Sequence, residues 1–207
     1  MSIEDKNIPQ QQTGNQIDTQ QETTLNSREE AQQLFRLAKK RLLDVSHWGE
    51  IANGFSSSFQ LTDSNGQEVD RPVQKGDCFR ISLPAPGPES GNGDDWVQVE
   101  NIQDEQDEHA DIEIISIRVR PTSDPQNPKP DTAHFYTDDA TSTFVVKRKG
   151  NTVSAEVHGR NEVPNTQTSG LWDTVRHVAV AVGSILGLSN QQWKNLTEGL
   201  IKPKKDR

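Results

Sequence analysis

The densest group of chemically reactive side chains in the sequence is the run His158-Gly159-Arg160-Asn161-Glu162. An imidazole and a carboxylate can exchange protons with a substrate, and a guanidinium can hold a carboxylate through two parallel hydrogen bonds. The alternative is structural: the run ends a strand, and Arg160, Asn161 and Glu162 fix the loop that follows. We favour the structural interpretation, because the hairpin register derived below places His158 on the polar face of its strand.

Three further residues complete the set of candidate ligand-binding residues. His134 and Tyr136 share one face of a short alternating segment, which would present an imidazole and a phenol either to a cavity or to solvent. Trp48 follows the first predicted helix, and a buried core position is favoured there over a place at the mouth of a cavity. None of these residues is singled out as catalytic.

The remaining reactive side chains fit no metal or cofactor site. The acidic stretch 104–111 has enough carboxylates for calcium but lacks the alternating spacing of a calcium loop, so we predict a solvated loop. His109 has no His or Cys partner at metal-ligand spacing. Cys78 shares a strand face with Arg80, which would favour its thiolate, although a lone strand cysteine is more often inert. We therefore predict no metal and no cofactor.

The composition is that of one domain with additional polar segments. The 207 residues are 30% hydrophobic, which is low for a globular chain, so part of the sequence must lie outside the core. The formal net charge of −9 argues against nucleic acid as a partner, since nucleic-acid surfaces concentrate Lys and Arg. The longest apolar stretch, 178–188, is shorter than the roughly 20 residues that cross a bilayer, so no membrane span is predicted.

The predicted boundaries divide the chain into a tail, a domain and a second short tail. Residues 1–26 are rich in Gln, Asn and Thr without periodicity, and we predict a disordered segment that is dispensable for folding. Residues 27–201 form a single predicted α+β domain, and 202–207 a basic tail. A single cysteine and the lack of a secretory-type start predict a cytoplasmic protein.

The predicted elements are a helix, six or seven antiparallel strands in meander order, and two C-terminal helices. Ser27 and Glu30 form a capping box before the first helix. Its core-facing residues recur at helical spacing: Ala31, Leu34, Phe35, Ala38 and Leu42. The best-defined hairpin turns at Gly150-Asn151. It should pair Phe144 with Val157, Val146 with Ala155, and Arg148 with Val153.

Other segments give weaker expectations. Asn65-Gly66 predicts a tight turn with a return strand at 69–73, and a change of face between Ile114 and Ile115 predicts a bulge or a bend where the strand begins. The segment 171–186 is predicted to be a long helix that is apolar over more than one stripe. A short last helix carries Trp193, Leu196 and Leu200, with Ser189 and Gln192 as its capping box.

The chain resembles the START-like helix-grip superfamily. The resemblance rests on the end of the first helix at 42–48 (LLDVSHW), on the turn and strand at 74–81 (QKGDCFRI) and on the terminal helix, and it extends from about Ser27 to Ile201. It implies a curved antiparallel sheet packed on a long C-terminal helix around an internal cavity. Members of the superfamily usually open with a strand before the first helix, whereas this chain has the polar tail there.

Three functions remain open at this point. The resemblance implies a binding module that holds a small apolar or amphipathic ligand between the sheet and the C-terminal helix. The second hypothesis is an enzyme of cyclase, dehydratase or hydrolase type that uses His134, Tyr136 or the run 158–162. The third is a protein-interaction module whose N-terminal tail and polar loops recruit a partner. A homodimer seam is a separate alternative for the apolar surface of the helix predicted at 171–186.

Overall fold

The computed structural model describes residues 6–52, 58–82, 94–109, 111–127, 139–163 and 190–203. The described elements, in chain order, are β1 (Asn15–Thr24), α1 (Arg28–Leu43), a 3-10 turn (Val45–His47), α2 (Trp48–Ile51), β2 (Ser58–Thr62), β3 (Cys78–Ser82), β4 (Asp94–Asp107), β5 (Ile112–Pro121), β6 (Thr141–Lys149), β7 (Thr152–Glu162) and α3 (Asn190–Leu200). None of the described helices is long and apolar enough to cross a membrane.

The strands form one antiparallel sheet in the order β1-β7-β6-β5-β4-β3-β2. Strands β2 to β7 are neighbours in sequence order, which confirms the predicted meander and the α+β class. The β6–β7 hairpin has the predicted register, because Phe144 lies opposite Val157 and Val146 opposite Ala155. Gly150 in its turn has a φ of 59°, a conformation that glycine adopts without strain.

Strand β1 contradicts the predicted disordered tail. Residues Asn15–Thr24 pair with β7 at the edge of the sheet, where one neighbouring strand satisfies one row of backbone groups. Its side chains on the inner face of the sheet, the face towards the core, are only half-buried and mostly polar: Ile17, Thr19, Gln21 and Thr23. A strand that needs so little apolar cover shows no hydrophobic alternation, which is why composition alone gave the wrong expectation for these residues.

The sheet curves around Trp48. In a flat sheet, four strand spacings of about 4.8 Å would put β2 and β6 about 19 Å apart. The Trp48 ring nevertheless lies 5.6 Å from the ring of Phe59 on β2 and 4.6 Å from that of Phe144 on β6, measured between centroids. Both strands can reach one side chain only if the sheet bends towards it. The apolar inner face is therefore concave.

Helices α1 and α3 pack on the inner face of the sheet, over different strands. Helix α1 lies against β6 and β7, and α3 lies against β1 and β7. All five core-facing positions predicted for α1 are buried, and the Ser27 hydroxyl accepts from the Glu30 N–H as expected. Trp193, Leu196 and Leu200 of α3 are buried as well. The predicted helix 171–186 lies outside the described residues, as does Ser189.

The turn at Asn65-Gly66 forms, but the return strand predicted at 69–73 does not. The Asp63 carboxylate accepts from the N–H groups of Asn65 and Gln67, and Gly66 has a φ of 79°. A single bridge joins Thr62 to Glu68, after which the chain leaves the sheet and β2 pairs with β3 instead. Pro72 could not have continued the ladder, because proline has no N–H to donate, and the N–H of Val73 donates to the Leu43 carbonyl oxygen instead.

Two predictions for β4 and β5 are also wrong. The irregular register lies in β4, between Val99 and Asn101, and not in β5. Ile114 and Ile115 point to opposite faces of a regular strand, and both are buried. The first half of the acidic stretch predicted to be a loop is strand, because β4 continues to Asp107. The β4–β5 turn is therefore short, and Asp111 in it has a φ of 52°.

Candidate functional site

His158 lies between two carboxylates on the outer face of the sheet, the face opposite the core. Its Nδ1 is 2.6 Å from Asp18 Oδ1 on β1, and its Nε2 is 3.0 Å from Glu156 Oε2 on β7. The side chain is 13% exposed. The hairpin register produces this position, because Val157 faces inwards and its neighbours on β7 face outwards. The predicted placement of His158 on the polar face is confirmed.

The electrostatics of this cluster favour the charged forms. Burial opposes the charge on the imidazole, but hydrogen bonds with Glu156 and Asp18 outweigh it and raise the pKa of His158. Burial likewise opposes ionisation of both acids. Their hydrogen bonds nevertheless lower the pKa of Asp18 and the pKa of Glu156. Both ring nitrogens of His158 are thus engaged by residues of the chain itself, and the described geometry leaves neither free for an external substrate.

Arg160 ties β1 to the end of β7, and Asn161 ties the segment that precedes β1 to the same place. Arg160 donates from Nη2 to Asp18 Oδ1 at 2.7 Å and from Nη1 to the carbonyl oxygen of Ile17 at 3.1 Å. The Asn161 side-chain oxygen accepts from the N–H groups of Gln12, at 2.7 Å, and Thr13, at 3.2 Å. Asn161 has a φ of 57°, a left-handed conformation that asparagine tolerates better than most residues.

Glu162 completes this attachment and is buried. Its backbone oxygen would be 2.5 Å from a Cβ at Gly14, whose φ is 67°, so a glycine is needed at that position; a Cβ at Gly159 would crowd the Glu162 carboxylate. The run 158–162 therefore contacts residues 11–18. This agrees with a structural interpretation, although the segment held is the N-terminal one and was predicted to be disordered.

Residues 7–13, here called the N-terminal strap, continue over the outer face of the sheet. Asn7 is 2% exposed; it donates to the Ser116 hydroxyl and accepts from Asn101 Nδ2 at 2.8 Å. The Thr143 hydroxyl donates to the Asn7 carbonyl oxygen at 3.4 Å. The strap thus covers polar side chains of β4, β5 and β6 on the outer face of the sheet.

The other candidate ligand-binding residues do not join His158. Trp48 is fully buried in the inner core, and its indole N–H donates to the carbonyl oxygens of Arg41 and Leu42, at 3.2 and 3.1 Å. It lies on the opposite face of the sheet from His158. His134 and Tyr136 lie outside the described residues.

Cys78 has no activated thiolate. Burial, together with the charges of Asp77 and Asp63, raises the pKa of its thiol to about 11. The expectation that Arg80 would favour the thiolate is wrong, because the Arg80 guanidinium lies 3.4 Å from Glu68 and 3.5 Å from Asp94. Within the described ranges, no three His, Cys, Asp or Glu side chains are arranged to hold a metal ion.

A depression of about 410 Å³ lies between the sheet and the described C-terminal helix. Its walls come from β1, from the residue after α2, from α3 and from the chain just beyond α3: Gln21, Glu22, Thr23, Ala52, Asn195, Glu198, Gly199, Ile201, Lys202 and Pro203. Sequence reasoning missed this site, because its first wall belongs to the segment predicted to be disordered. The β1 residues of that wall, Gln21, Glu22 and Thr23, are polar, so the sequence carried no hydrophobic signal for it.

A search of solved structures finds matches at low sequence identity and low structural similarity. Similar solved structures include a truncated norcoclaurine synthase from Thalictrum flavum, with 9% identity, a TM-score of 0.38, and 95% of this chain and 100% of that chain covered. A protein from Thermus thermophilus has 13% identity and a TM-score of 0.38, with 90% of this chain and 95% of that chain covered. Ara h 8.0201 has 11% identity and a TM-score of 0.36, with 90% of this chain and 96% of that chain covered. No protein-family model and no curated protein matches the sequence.

Proposed function

We propose that this domain binds a small amphipathic ligand in the depression between β1 and α3. The observation that supports the proposal is the shape and chemistry of that depression. Its volume of about 410 Å³ falls in the range of about 300–1,000 Å³ that is usual for small-molecule sites. It lies beside the short helix α3; the long helix against which the resemblance implies a ligand was predicted at 171–186, outside the described residues.

The lining indicates the class of ligand. Ala52, Ile201 and Pro203 offer apolar surface, whereas Gln21, Thr23 and Asn195 offer amide and hydroxyl groups. Glu22, Glu198 and Lys202 add charges of both signs. A ligand with an apolar body and a few hydrogen-bonding groups matches this surface better than a wholly apolar one. Of the two ligand classes expected from the sequence, apolar and amphipathic, the lining therefore favours the amphipathic one.

An enzymatic function has less support from the described residues. The imidazole of His158 is held by Asp18 and Glu156, and Arg160 is held by Asp18 and backbone oxygens. A homodimer seam at 171–186 and a cytoplasmic location stay as predictions. The buried free thiol of Cys78 accords with a reducing compartment.

Adjacent threonines of β1 provide a matched test. Thr23 lines the depression, whereas Thr24 points to the other face and is exposed. An environment-sensitive amphipathic dye should bind the wild-type protein saturably at about one site per chain. Thr23→Trp should weaken that binding at least tenfold, and Thr24→Trp should leave it within twofold.

Folding and association are measured on the same samples by circular dichroism and size-exclusion chromatography. If the folded wild-type protein binds no dye saturably, or if both tryptophan variants reduce binding equally, the proposed site is wrong. A dye that binds only at the seam of a dimer would support the interaction-module hypothesis in its place.

A further inference from the structure

The hydrogen bonds of His158 are complete only when its ring is protonated. Both ring nitrogens face carboxylate oxygens, at 2.6 Å for Asp18 and 3.0 Å for Glu156. An ionised carboxylate only accepts hydrogen bonds. A neutral imidazole has one N–H, whereas an imidazolium has two. Loss of the proton would therefore leave one nitrogen lone pair facing a carboxylate oxygen.

This contact joins β1 to the rest of the sheet. Asp18 belongs to β1, and both His158 and Glu156 belong to β7, which is the only strand paired with β1 in the described sheet. The side chains of β1 are half-buried or exposed, so burial of apolar surface contributes little to holding it. A charged bridge is consequently a larger share of its attachment than it would be for a central strand.

The groups around the imidazole come from four strands. Asp18 lies on β1, and Glu156 and Arg160 lie on β7. On β6, Thr143 is the residue paired with His158, and the charge of Lys147 attracts Glu156. Arg118 on β5 is paired with Thr143. Arg160 bonds Asp18 at 2.7 Å and keeps its charge at any physiological pH. A neutral His158 would therefore weaken the attachment of β1 without removing it.

We infer that His158 acts as a pH-sensitive latch, which holds β1 on the sheet while the imidazole is protonated and loosens it when the proton is lost. The direction follows from linkage. Because the pKa of His158 is raised from 6.5, its contribution is fully present below 6.5 and is lost as the pH rises through the raised value. The carboxylates contribute above their ordinary values of 3.8 and 4.5, and this contribution is lost at lower pH.

Hydrogen exchange of the β1 amides, corrected for intrinsic rates, tests the latch at pH 6 and pH 9. In the wild-type protein, protection of the amides at 18–23 should fall at least fivefold at pH 9, while β6 amides keep theirs. His158→Gln should show the low protection at both values. His158→Lys, which stays charged, should retain protection at pH 9. His47→Gln is the control, since His47 is exposed and pairs with Asp44 at the end of α1, away from β1.

The latch is refuted if wild-type protection of β1 is the same at both pH values, or if His47→Gln abolishes the change. Variants that fail to fold do not decide the matter. In that case the ring signals of His158 in the wild-type protein are titrated by NMR, and they must move in parallel with the β1 amide signals. Independent titration of the two sets of signals would also overturn the proposal.

Discussion

Asn161 offers the sharpest test of how the N-terminal strap is held. Its side-chain oxygen accepts two backbone hydrogen bonds, from Gln12 and Thr13, and its backbone has a φ of 57°. Asn161→Gly removes the side-chain bonds but keeps the left-handed conformation free of strain. Asn161→Ala removes the same bonds and also places a Cβ in that conformation. The two variants therefore separate hydrogen bonding from backbone strain.

The expected magnitudes follow from those two contributions. Two partly buried hydrogen bonds at about 0.5–1.5 kcal/mol each predict a loss of about 1–3 kcal/mol in the free energy of unfolding for Asn161→Gly. A left-handed non-glycine residue costs about 1–2 kcal/mol more, so Asn161→Ala should lose about 2–5 kcal/mol. The greater flexibility of glycine in the unfolded chain narrows this difference by under about 1 kcal/mol.

Urea denaturation measures both losses, and hydrogen exchange of the Gln12 and Thr13 amides shows whether the strap is the part affected. Those two amides should lose protection in both variants, while amides of the β6–β7 hairpin keep it. The reasoning is refuted if both variants stay within about 0.5 kcal/mol of the wild type, the range expected of an unremarkable surface substitution. It is also refuted if the amide exchange at residues 12 and 13 does not change.

Three further outcomes are expected. Deletion of residues 1–13 should lower the midpoint of urea denaturation, because Asn7 is buried against Ser116. An unchanged midpoint would show that these residues are dispensable for folding. Trp48→Ala should cost about 3–5 kcal/mol by the same assay and Trp48→Phe clearly less, since the ring fills the inner core; equal costs would contradict this. Asp95→Asn should stabilise the protein at pH 7. Burial and the charge of Asp94 raise the pKa of Asp95, so as the pH rises the unfolded chain ionises at a lower pH than the folded protein does, and the wild-type protein loses stability above about pH 4. The variant should lose less stability over that range.

The parts of the fold that could be predicted are those whose pattern is visible locally. Helix α1 has its cap and its apolar stripe within 16 residues. The β6–β7 hairpin has its turn and both strands within a short range, so the register of Phe144 and Val157 follows from counting. In both cases the side chains that pack together also recur at a regular spacing, and one window of sequence contains the whole signal.

The parts that could not be predicted depend on distant partners. Strand β1 carries polar residues even on the inner face of the sheet, and its extended conformation depends on backbone pairing with β7. The run 158–162 showed its reactive side chains but not their partners, because Asp18, Gln12 and Thr13 lie in the segment predicted to be disordered. The same error concealed the depression beside α3, whose first wall is Thr23 and its neighbours.

The pairing of β1 with β7 has a consequence for how the protein folds. Thr24 and Thr152, which share a hydrogen bond of 3.0 Å, are 128 residues apart in sequence. Pairing over such a distance requires a large loop to close first, which slows folding relative to a sheet built from hairpins alone. During synthesis, β1 leaves the ribosome long before its partner strand exists. We therefore expect β2 to β7 to assemble first and β1 to join last, after translation has passed residue 162.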